Sequence, residues 1–150
     1  GPEEDFDFSL GRFEQLERVA ADFGLAFAAA TAPAGETGGR CATERLLAVD
    51  DRRPPPPLVF LTNRMAVGGL MALAGSPWVV GRHVSVIGFG DSPSLRHALP
   101  AITVVQSPMF EMARHAVDAL LALRDRTPFE TVRRWRPTLE LRQSDGPPPV

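Results

Sequence analysis

The chain has few basic residues, and none of them is lysine. Its 150 residues include 16 basic side chains, all arginine, and 18 acidic ones, so the formal net charge is -2. Binding to DNA phosphates requires a positively charged face. The charge balance therefore argues against DNA binding by this chain alone. The cluster Arg133-Arg134-Trp135-Arg136 is better explained as protective charge along a solvated strand edge.

Cysteine is also nearly absent, because Cys41 stands alone. One cysteine excludes an internal disulfide and a cysteine metal cluster, and it predicts a buried structural thiol. The histidines lack metal-ligand spacing, and the serines lack the Gly-x-Ser-x-Gly turn of a nucleophile. The sequence has no apolar run of bilayer length and no signal-peptide core. We therefore expect a cytoplasmic, non-membrane protein that is no enzyme and has no metal or cofactor.

Two apolar runs that end in polar turns are the most informative feature of the sequence. Residues 84–89 form one run, which stops at Gly90-Asp91-Ser92. Residues 58–61 form the other, which is followed by Thr62-Asn63-Arg64 and a helix of small residues. Such runs are typical of strands buried on both faces of a parallel sheet. Ligands bind at the carboxyl ends of such strands, so the two turns predict a ligand crevice.

Apolar periodicity and breaker residues predict the remaining elements. In the second predicted helix, Ala42, Leu46 and Val49 face inward, and a polar loop covers residues 33–39 before it. The alternation of strands and helices predicts an α/β fold with a doubly wound, mostly parallel sheet, in which Val86 and Ile87 are both largely buried. Predicted helices cover residues 9–23, 41–49, 65–74 and 107–124, and predicted strands cover residues 25–30, 58–61, 84–89, 102–105 and 138–141.

The order of these motifs resembles the carboxyl-terminal half of the lac repressor/galactose repressor (LacI/GalR) family of bacterial transcription regulators. The resemblance implies a periplasmic-binding-protein-like (type I) effector domain of two lobes, present here only in part. The helix-turn-helix that binds DNA would precede residue 1. The segments that carry the resemblance are LGRFEQL, GGRCATERLL, LVFLTNRMAVGGLMAL, VSVIGFGDSP, LPAITVVQSPMFEMARHAVDALLAL and RPTLELRQS.

The resemblance also implies how residues 1–150 are divided as an effector-binding and dimerisation domain fragment. The carboxyl lobe would cover about residues 8–101 and 136–145. Residues 102–126 would supply a crossing strand and a helix of the other lobe, and a tail over residues 144–150 is expected to be disordered. The helix at residues 107–124 carries an apolar stripe that, in the family, packs on the amino-terminal lobe. We therefore expect this stripe to cause self-association when that lobe is absent.

The family's effector contacts match six positions of this chain. Arg12 matches an arginine that contacts the effector, and Thr62 and Asn63 match a polar pair of which one residue caps the following helix and the other faces the crevice. Arg64 also recurs in relatives, where it would reach either the cleft or the surface. Gly90 stands where relatives carry an acidic residue that grips sugar hydroxyls, and Ala34 lies near the position of a stacking aromatic ring. Asp91 remains as either a ligand contact or a carboxylate that closes its own loop. The set of expected effector residues is Arg12, Thr62, Asn63, Arg64, Gly90 and Asp91.

The function that this resemblance implies is the sensing and dimerisation module of a LacI-type regulator. A sugar-like effector or another metabolite would close two lobes of a homodimer and change the spacing of DNA-binding heads on operator DNA. Operator DNA would be a partner only through the missing amino-terminal domain. The alternative is a solute-binding protein of a sugar transporter, which shares the lobe fold. An enzyme on the same scaffold is a third option, for which the sequence offers no catalytic constellation.

Overall fold

The computed structural model describes residues 7–50 and 52–146. Helices and strands alternate along most of this range, as the sequence predicts. The helices are α1 (Asp7–Asp22), α2 (Glu36–Leu47), α3 (Asn63–Ala74), α4 (Pro93–Arg96) and α5 (Met109–Asp125), and the strands are β1 (Leu58–Phe60), β2 (Val86–Phe89), β3 (Thr103–Gln106) and β4 (Thr138–Glu140).

The strands form one sheet in the order β1-β2-β3-β4. Strands β1, β2 and β3 run parallel, and β4 is antiparallel to β3. The register places Phe60 opposite Gly88 and Phe89 opposite Val105. Because the first three strands are parallel, their carboxyl ends lie at one edge of the sheet, where the two polar turns of the sequence follow β1 and β2.

The core lies on one face of this sheet. Phe60, Val86 and Val104 point to this face and are buried, together with Leu73 of α3 and Leu95 of α4. Side chains alternate between faces along a strand, so the other face carries the neighbours of these residues.

That second face is less completely covered. Val59 is 41 % exposed, Ile87 is only partly buried, and α1 reaches this face through Arg12, which stacks on Phe89. The expected burial is therefore confirmed for Val86, and Ile87 is partly buried under the less complete cover of the second face.

Helices α2 and α3 pack with their backbones almost in contact. A methyl group on Gly68 would overlap the carbonyl oxygen of Glu36, and one on Gly39 would overlap the carbonyl oxygen of Met65. Gly69 sits directly against the ring of Phe60 in the same way. The glycines of α3 thus allow it to approach both the sheet and α2 closely.

The glycines before Cys41 belong to helix α2, so the predicted loop over residues 33–39 is wrong beyond Gly35. Local propensity favours a loop here, but the packing of Gly38 and Gly39 overrides it. With the helix starting at Glu36, its buried side includes Ala42 and Thr43. The predicted burial of Cys41 is wrong because this thiol is exposed on the opposite side.

Two further predictions near α2 are wrong. Val49 is 82 % exposed because the helix ends at Leu47, two residues before it. The predicted strand over residues 25–30 is an irregular segment that pairs with no strand of the described chain. Residues 25–29 are exposed, although the ring of Phe27 contacts that of Phe13 of α1, with centroids 5.6 Å apart.

The chain beyond β4 returns to the sheet, so the predicted disorder is wrong at residue 144. Ser144 is fully buried. Its hydroxyl accepts a hydrogen bond from the backbone N–H of Thr103 at 2.8 Å and donates one to the carbonyl oxygen of Val86 at 2.6 Å. Residues 147–150 of the predicted tail lie outside the described residues.

Helix α5 has no buried residue, and its predicted apolar stripe is exposed. Phe110 is 76 % exposed and Leu120 is 66 % exposed. The opposite side of the helix is partly covered by the segment that follows, where the ring of His115 meets that of Trp135 at 6.0 Å. Trp135 is partly buried by this contact.

Candidate functional site

Polar residues from the carboxyl ends of three neighbouring strands meet at one edge of the sheet. Asn63 follows β1 as the first residue of α3, the turn after β2 contains Gly90 and Asp91, and β3 ends in Gln106. The backbone N–H of Gly90 donates to the carbonyl oxygen of Val105 at 2.9 Å, which ties the second turn to β3. Parallel strands and tight turns thus bring together residues that are far apart in the sequence.

Thr62 and Asn63 have different hydrogen-bond partners and different roles. The Thr62 hydroxyl accepts a hydrogen bond from the backbone N–H of Met65 at 3.2 Å and caps helix α3. The Asn63 amide nitrogen donates to the carbonyl oxygen of Asp91 at 3.5 Å. The prediction that one residue of this pair is a helix cap is therefore confirmed, and the other residue meets the facing turn.

Arg12 lies at the same edge, although it comes from helix α1. Its guanidinium donates to the carbonyl oxygen of Leu61 at 2.8 Å and lies 4.9 Å from the centroid of the Phe89 ring. Partial burial lowers the pKa of Arg12 from its ordinary value, but an arginine remains cationic at neutral pH.

An open, mostly apolar hollow of about 410 Å³ adjoins the Arg12 guanidinium. A bound molecule could place a nonpolar surface in this hollow and polar atoms against the guanidinium. The hollow is lined by Gly11, Arg12, Gln15, Leu16, Val19 and Phe89.

Arg64 lies farther out than the other predicted site residues. Its side chain is 72 % exposed, and its guanidinium faces the Glu36 carboxylate at 3.9 Å. It also lies beside Gly35, just before helix α2. The structure thus places Arg64 at the rim of the crevice, where α2 and α3 both begin. Ala34, also just before α2, is exposed.

The Asp91 carboxylate is held by two arginines. Arg142 donates to both of its oxygens, at 2.9 and 2.8 Å, and Arg96 donates to Oδ2 at 2.6 and 3.1 Å. The backbone N–H of Ser92 donates to Oδ1. These hydrogen bonds, those from Arg142 above all, lower the pKa of Asp91 from 3.8 to about 2. The geometry favours the loop-closing role of this carboxylate, since both of its oxygens have partners in the protein.

Gly90 has a backbone φ of +80°. This left-handed region is costly for residues with a side chain, and glycine adopts it freely. The turn between β2 and Asp91 therefore exposes backbone to the crevice and projects no side chain into it.

Sequence reasoning missed two residues of this site, Gln106 and Arg142. The Gln106 side-chain oxygen accepts a hydrogen bond from the backbone N–H of Asp91 at 2.6 Å. A signal for Gln106 existed, because it is a polar residue at the carboxyl end of a parallel strand, like the turns after β1 and β2. No comparable signal marks Arg142, which lies 51 residues beyond Asp91 in the sequence.

The described residues contain no group of three or more His, Cys, Asp or Glu side chains placed to hold a metal ion. In the same part of the chain, no helix is long and apolar enough to cross a membrane. Of the polar residues gathered at this edge of the sheet, Arg12 also lines the apolar hollow.

Comparisons with known proteins agree with this arrangement. The family model described as a periplasmic binding protein-like domain matches residues 4–144. The transcriptional regulator GalS of Salmonella typhimurium is 41 % identical over 64 residues, which cover 42 % of this chain and 19 % of that protein.

Solved structures extend the likeness to nearly the whole chain. A LacI family regulator from Bifidobacterium animalis is 26 % identical with a TM-score of 0.86, over 97 % of this chain and 53 % of that one. A sugar-binding LacI family regulator from Escherichia coli, solved with phosphate, is 26 % identical with a TM-score of 0.82, over 97 % and 52 %. This chain thus spans about half the length of these solved relatives. It belongs to the periplasmic binding protein-like domain family, and its likeness to LacI family regulators extends over nearly its whole length.

Proposed function

We propose that this chain is the ligand-sensing and dimerisation module of a LacI-type regulator. It binds a small effector, a sugar or a related metabolite, and this binding changes how an amino-terminal helix-turn-helix engages operator DNA. Ligand binding shifts the protein between two arrangements only if the ligand has different affinities for them. The solute-binding alternative has less support, because the relatives named above are transcriptional regulators.

The observation that carries this proposal is the meeting of polar groups from β1, β2 and β3 at one sheet edge. Asn63, Asp91 and Gln106 are linked there by two hydrogen bonds. Polar groups that converge beside an apolar hollow are the usual composition of a small-molecule site. The E. coli relative is described as sugar-binding, which supports a related ligand for this chain.

The predicted site residues take different roles in this proposal. Arg12 and Asn63 contact the effector directly. Thr62 fixes the start of α3, and Arg64 contacts the effector from the rim of the crevice. Gly90 leaves space for the effector at the turn, and Asp91 keeps that turn in place through its arginine partners.

Removing the Arg12 guanidinium should abolish most effector binding. We expect Arg12→Met to weaken binding about 10- to 100-fold, because it removes a charged hydrogen-bond donor from the site. The measurement is calorimetry with each sugar or sugar derivative that raises the Tm of the unmodified chain in a thermal-shift screen.

Arg18→Met is the matched control for this variant. Arg18 lies on the same helix, is exposed and contributes no hydrogen bond or ion pair in the described structure. Equal effector affinities of the two variants would show that Arg12 is not part of the site. If no compound in a broad screen bound the unmodified chain, the sensing function itself would fail.

The chain alone should not bind operator DNA. Its net charge is -2, and specific recognition needs a positively charged surface and a recognition element in a groove. In a gel-shift assay we expect no sequence-dependent complex at micromolar protein, whereas a longer protein that carries a helix-turn-helix should bind and respond to the effector. Tight, sequence-dependent binding by residues 1–150 would contradict this assignment.

The apolar stripe on α5, which in the family packs on the amino-terminal lobe, is exposed here, and we expect it to make residues 1–150 self-associate. Each large apolar side chain that is moved out of water contributes about 1.5–3 kcal/mol, so an exposed stripe of this size favours association. We expect sedimentation velocity to show dimers or larger species whose fraction rises with concentration, and Phe110→Ser with Leu120→Ser to shift them to monomers. Glu111→Ser is the polar control on the same helix. A monomer at every concentration would refute the prediction.

A further inference from the structure

Helix α5 is joined to the sheet through two strands. The chain enters α5 from β3, which ends at Gln106, and returns to the sheet in β4, which begins at Thr138, directly opposite Gln106 in the register. Helix α5 has no buried residue, and no hydrogen bond or ion pair among the described residues joins it to α1, α2, α3 or α4. A helix with so few buried contacts takes its direction from the strand ends at its base.

The turn after β2 is fastened to these two strands. The backbone N–H of Gly90 donates to the backbone of β3 at 2.9 Å, and that of Asp91 donates to the side-chain oxygen of Gln106 at 2.6 Å. The Asp91 carboxylate is held by Arg142, in the segment that follows β4. The hydrogen bond from Asn63 of α3 to this turn is longer, at 3.5 Å. The turn is therefore held more firmly to the β3–β4 pair than to the start of α3.

Gln106 stands at the base of α5 itself. Only Ser107 and Pro108 separate it from the first residue of α5. Side chains alternate between the faces of a strand, so the side chain of Gln106 shares the core face with Val104 and reaches the turn from there. A backbone N–H can only donate, so the Gln106 oxygen is the acceptor for Asp91. One side chain thus joins the turn to the point at which the chain leaves the sheet.

We propose that Gln106 is a positioning residue, which couples the turn at Gly90-Asp91 to the direction in which α5 leaves the sheet. A change in the turn moves the backbone N–H of Asp91, the Gln106 oxygen follows it, and the end of β3 carries α5 along. The consequence for regulation rests on the proposed function, since the same turn belongs to the candidate effector site. An effector that displaces this turn reorients the apolar stripe of α5 without touching the helix.

The test measures the direction of α5 as the distance between two spin labels, by double electron–electron resonance without any ligand. Cys41, the single cysteine of the sequence, is exposed on α2 and takes the first label. Arg124→Cys places the second label near the far end of α5, and it breaks only an exposed ion pair with the adjacent Asp125. Every protein also carries Phe110→Ser and Leu120→Ser, so that self-association adds no distances between copies.

A double-mutant cycle separates coupling from simple loosening. Gly90→Ala strains the turn, because a φ of +80° is costly for alanine, while the added methyl group would meet only Asn63, at 3.9 Å. Gln106→Met removes the acceptor of the Asp91 N–H. We expect each change alone to widen the distance distribution about two-fold, and the double variant to be no wider than Gln106→Met. Gln106→Glu keeps an acceptor oxygen and should retain the narrow distribution.

Two matched controls should leave the distribution unchanged. Gly24→Ala imposes the same kind of strain at a φ of +63° after α1, where the added methyl group would meet nothing within 4 Å. Gln143→Met removes a side-chain oxygen that also accepts from a backbone N–H, that of Ala101 at 3.1 Å, before the amino end of β3. The Tm of every variant is measured, and distances are compared only among folded proteins.

Three outcomes would overturn the coupling role of Gln106. The effects of Gly90→Ala and Gln106→Met could add in the double variant, Gln143→Met could widen the distribution as much as Gln106→Met, or Gln106→Glu could widen it as much as Gln106→Met. Because no ligand is used, each of these outcomes leaves the sensing function standing. That function fails separately, if no compound in the broad screen binds the unmodified chain.

Discussion

Replacing Gly68 with alanine is expected to destabilise the fold by about 3 kcal/mol or more. At an exposed helix position the same change would stabilise the helix by up to ~1 kcal/mol. Here the added methyl group would overlap the carbonyl oxygen of Glu36. The obstacle is backbone and not a flexible side chain, so α2 and α3 must move apart, and this movement disturbs the starts of both helices beside the crevice.

The measurement is the free energy of unfolding from urea titrations, with Gly11→Ala as the control. Gly11 lies inside α1, and a methyl group there would meet nothing within 4 Å. We expect Gly11→Ala to raise stability by roughly 0.5–1 kcal/mol. Similar effects of the two substitutions would show that the close approach of α2 and α3 is not a constraint on the fold.

The glycines of α3 also show how far the sequence alone can predict this structure. Two adjacent glycines in a helix indicate close packing, and Gly69 does lie against Phe60 of the sheet. The partner of Gly68 could not be predicted, because Glu36 lies in a glycine-rich segment with the local character of a loop. Only the contact with α3 explains why α2 begins there.

The sequence predicts strands correctly where an apolar run ends in a polar turn. It fails where strand formation depends on a neighbouring strand with which the backbone can pair. Residues 58–60 and 86–89 are apolar runs with polar turns behind them, and both are strands. Residues 25–30 are as apolar, but a strand needs a neighbour to pair its backbone, and none of the described strands lies beside them. A pattern within six residues contains no information about such a neighbour.

The candidate site could likewise be predicted where it follows from the sequence pattern, but not where it depends on contacts between distant residues. The turns after β1 and β2 follow from the rule that ligand sites form at the carboxyl ends of parallel strands. The engagement of Asp91 by Arg142 does not follow from it, because the two residues are brought together only by the pairing of β4 with β3 and the return of the chain after β4. The sequence suggests a loop-closing carboxylate, but not the arginine that holds it.

Arg142→Met is therefore expected to have the second large effect, a loss of about 2–3 kcal/mol of stability at pH 7. The substitution removes the fork that binds both Asp91 oxygens and the hydrogen bond to the carbonyl oxygen of Ile102 at 2.9 Å. Asp91, whose side chain is 8 % exposed, keeps only Arg96 as a charged partner. The same loss should loosen the turn at Gly90 and weaken effector binding. The control is Arg40→Met, which breaks an exposed ion pair with Glu44 and should leave the stability unchanged.

The pH dependence of stability supplies the diagnostic measurement. The pKa of Asp91 is lowered from 3.8 to about 2 in the folded chain, so its contribution is fully present above pH ~4 and is lost as the pH falls towards 2. This shift corresponds to roughly 2 kcal/mol. We expect the unmodified chain to lose that much more stability between pH 4 and 2 than Asp91→Asn, which has no carboxylate to protonate there. Arg142→Met should behave like Asp91→Asn in this range, because the arginine is the main cause of the lowered pKa. If Arg142→Met kept the full acid sensitivity of the unmodified chain, Arg142 would not be the residue that holds the turn of the effector site.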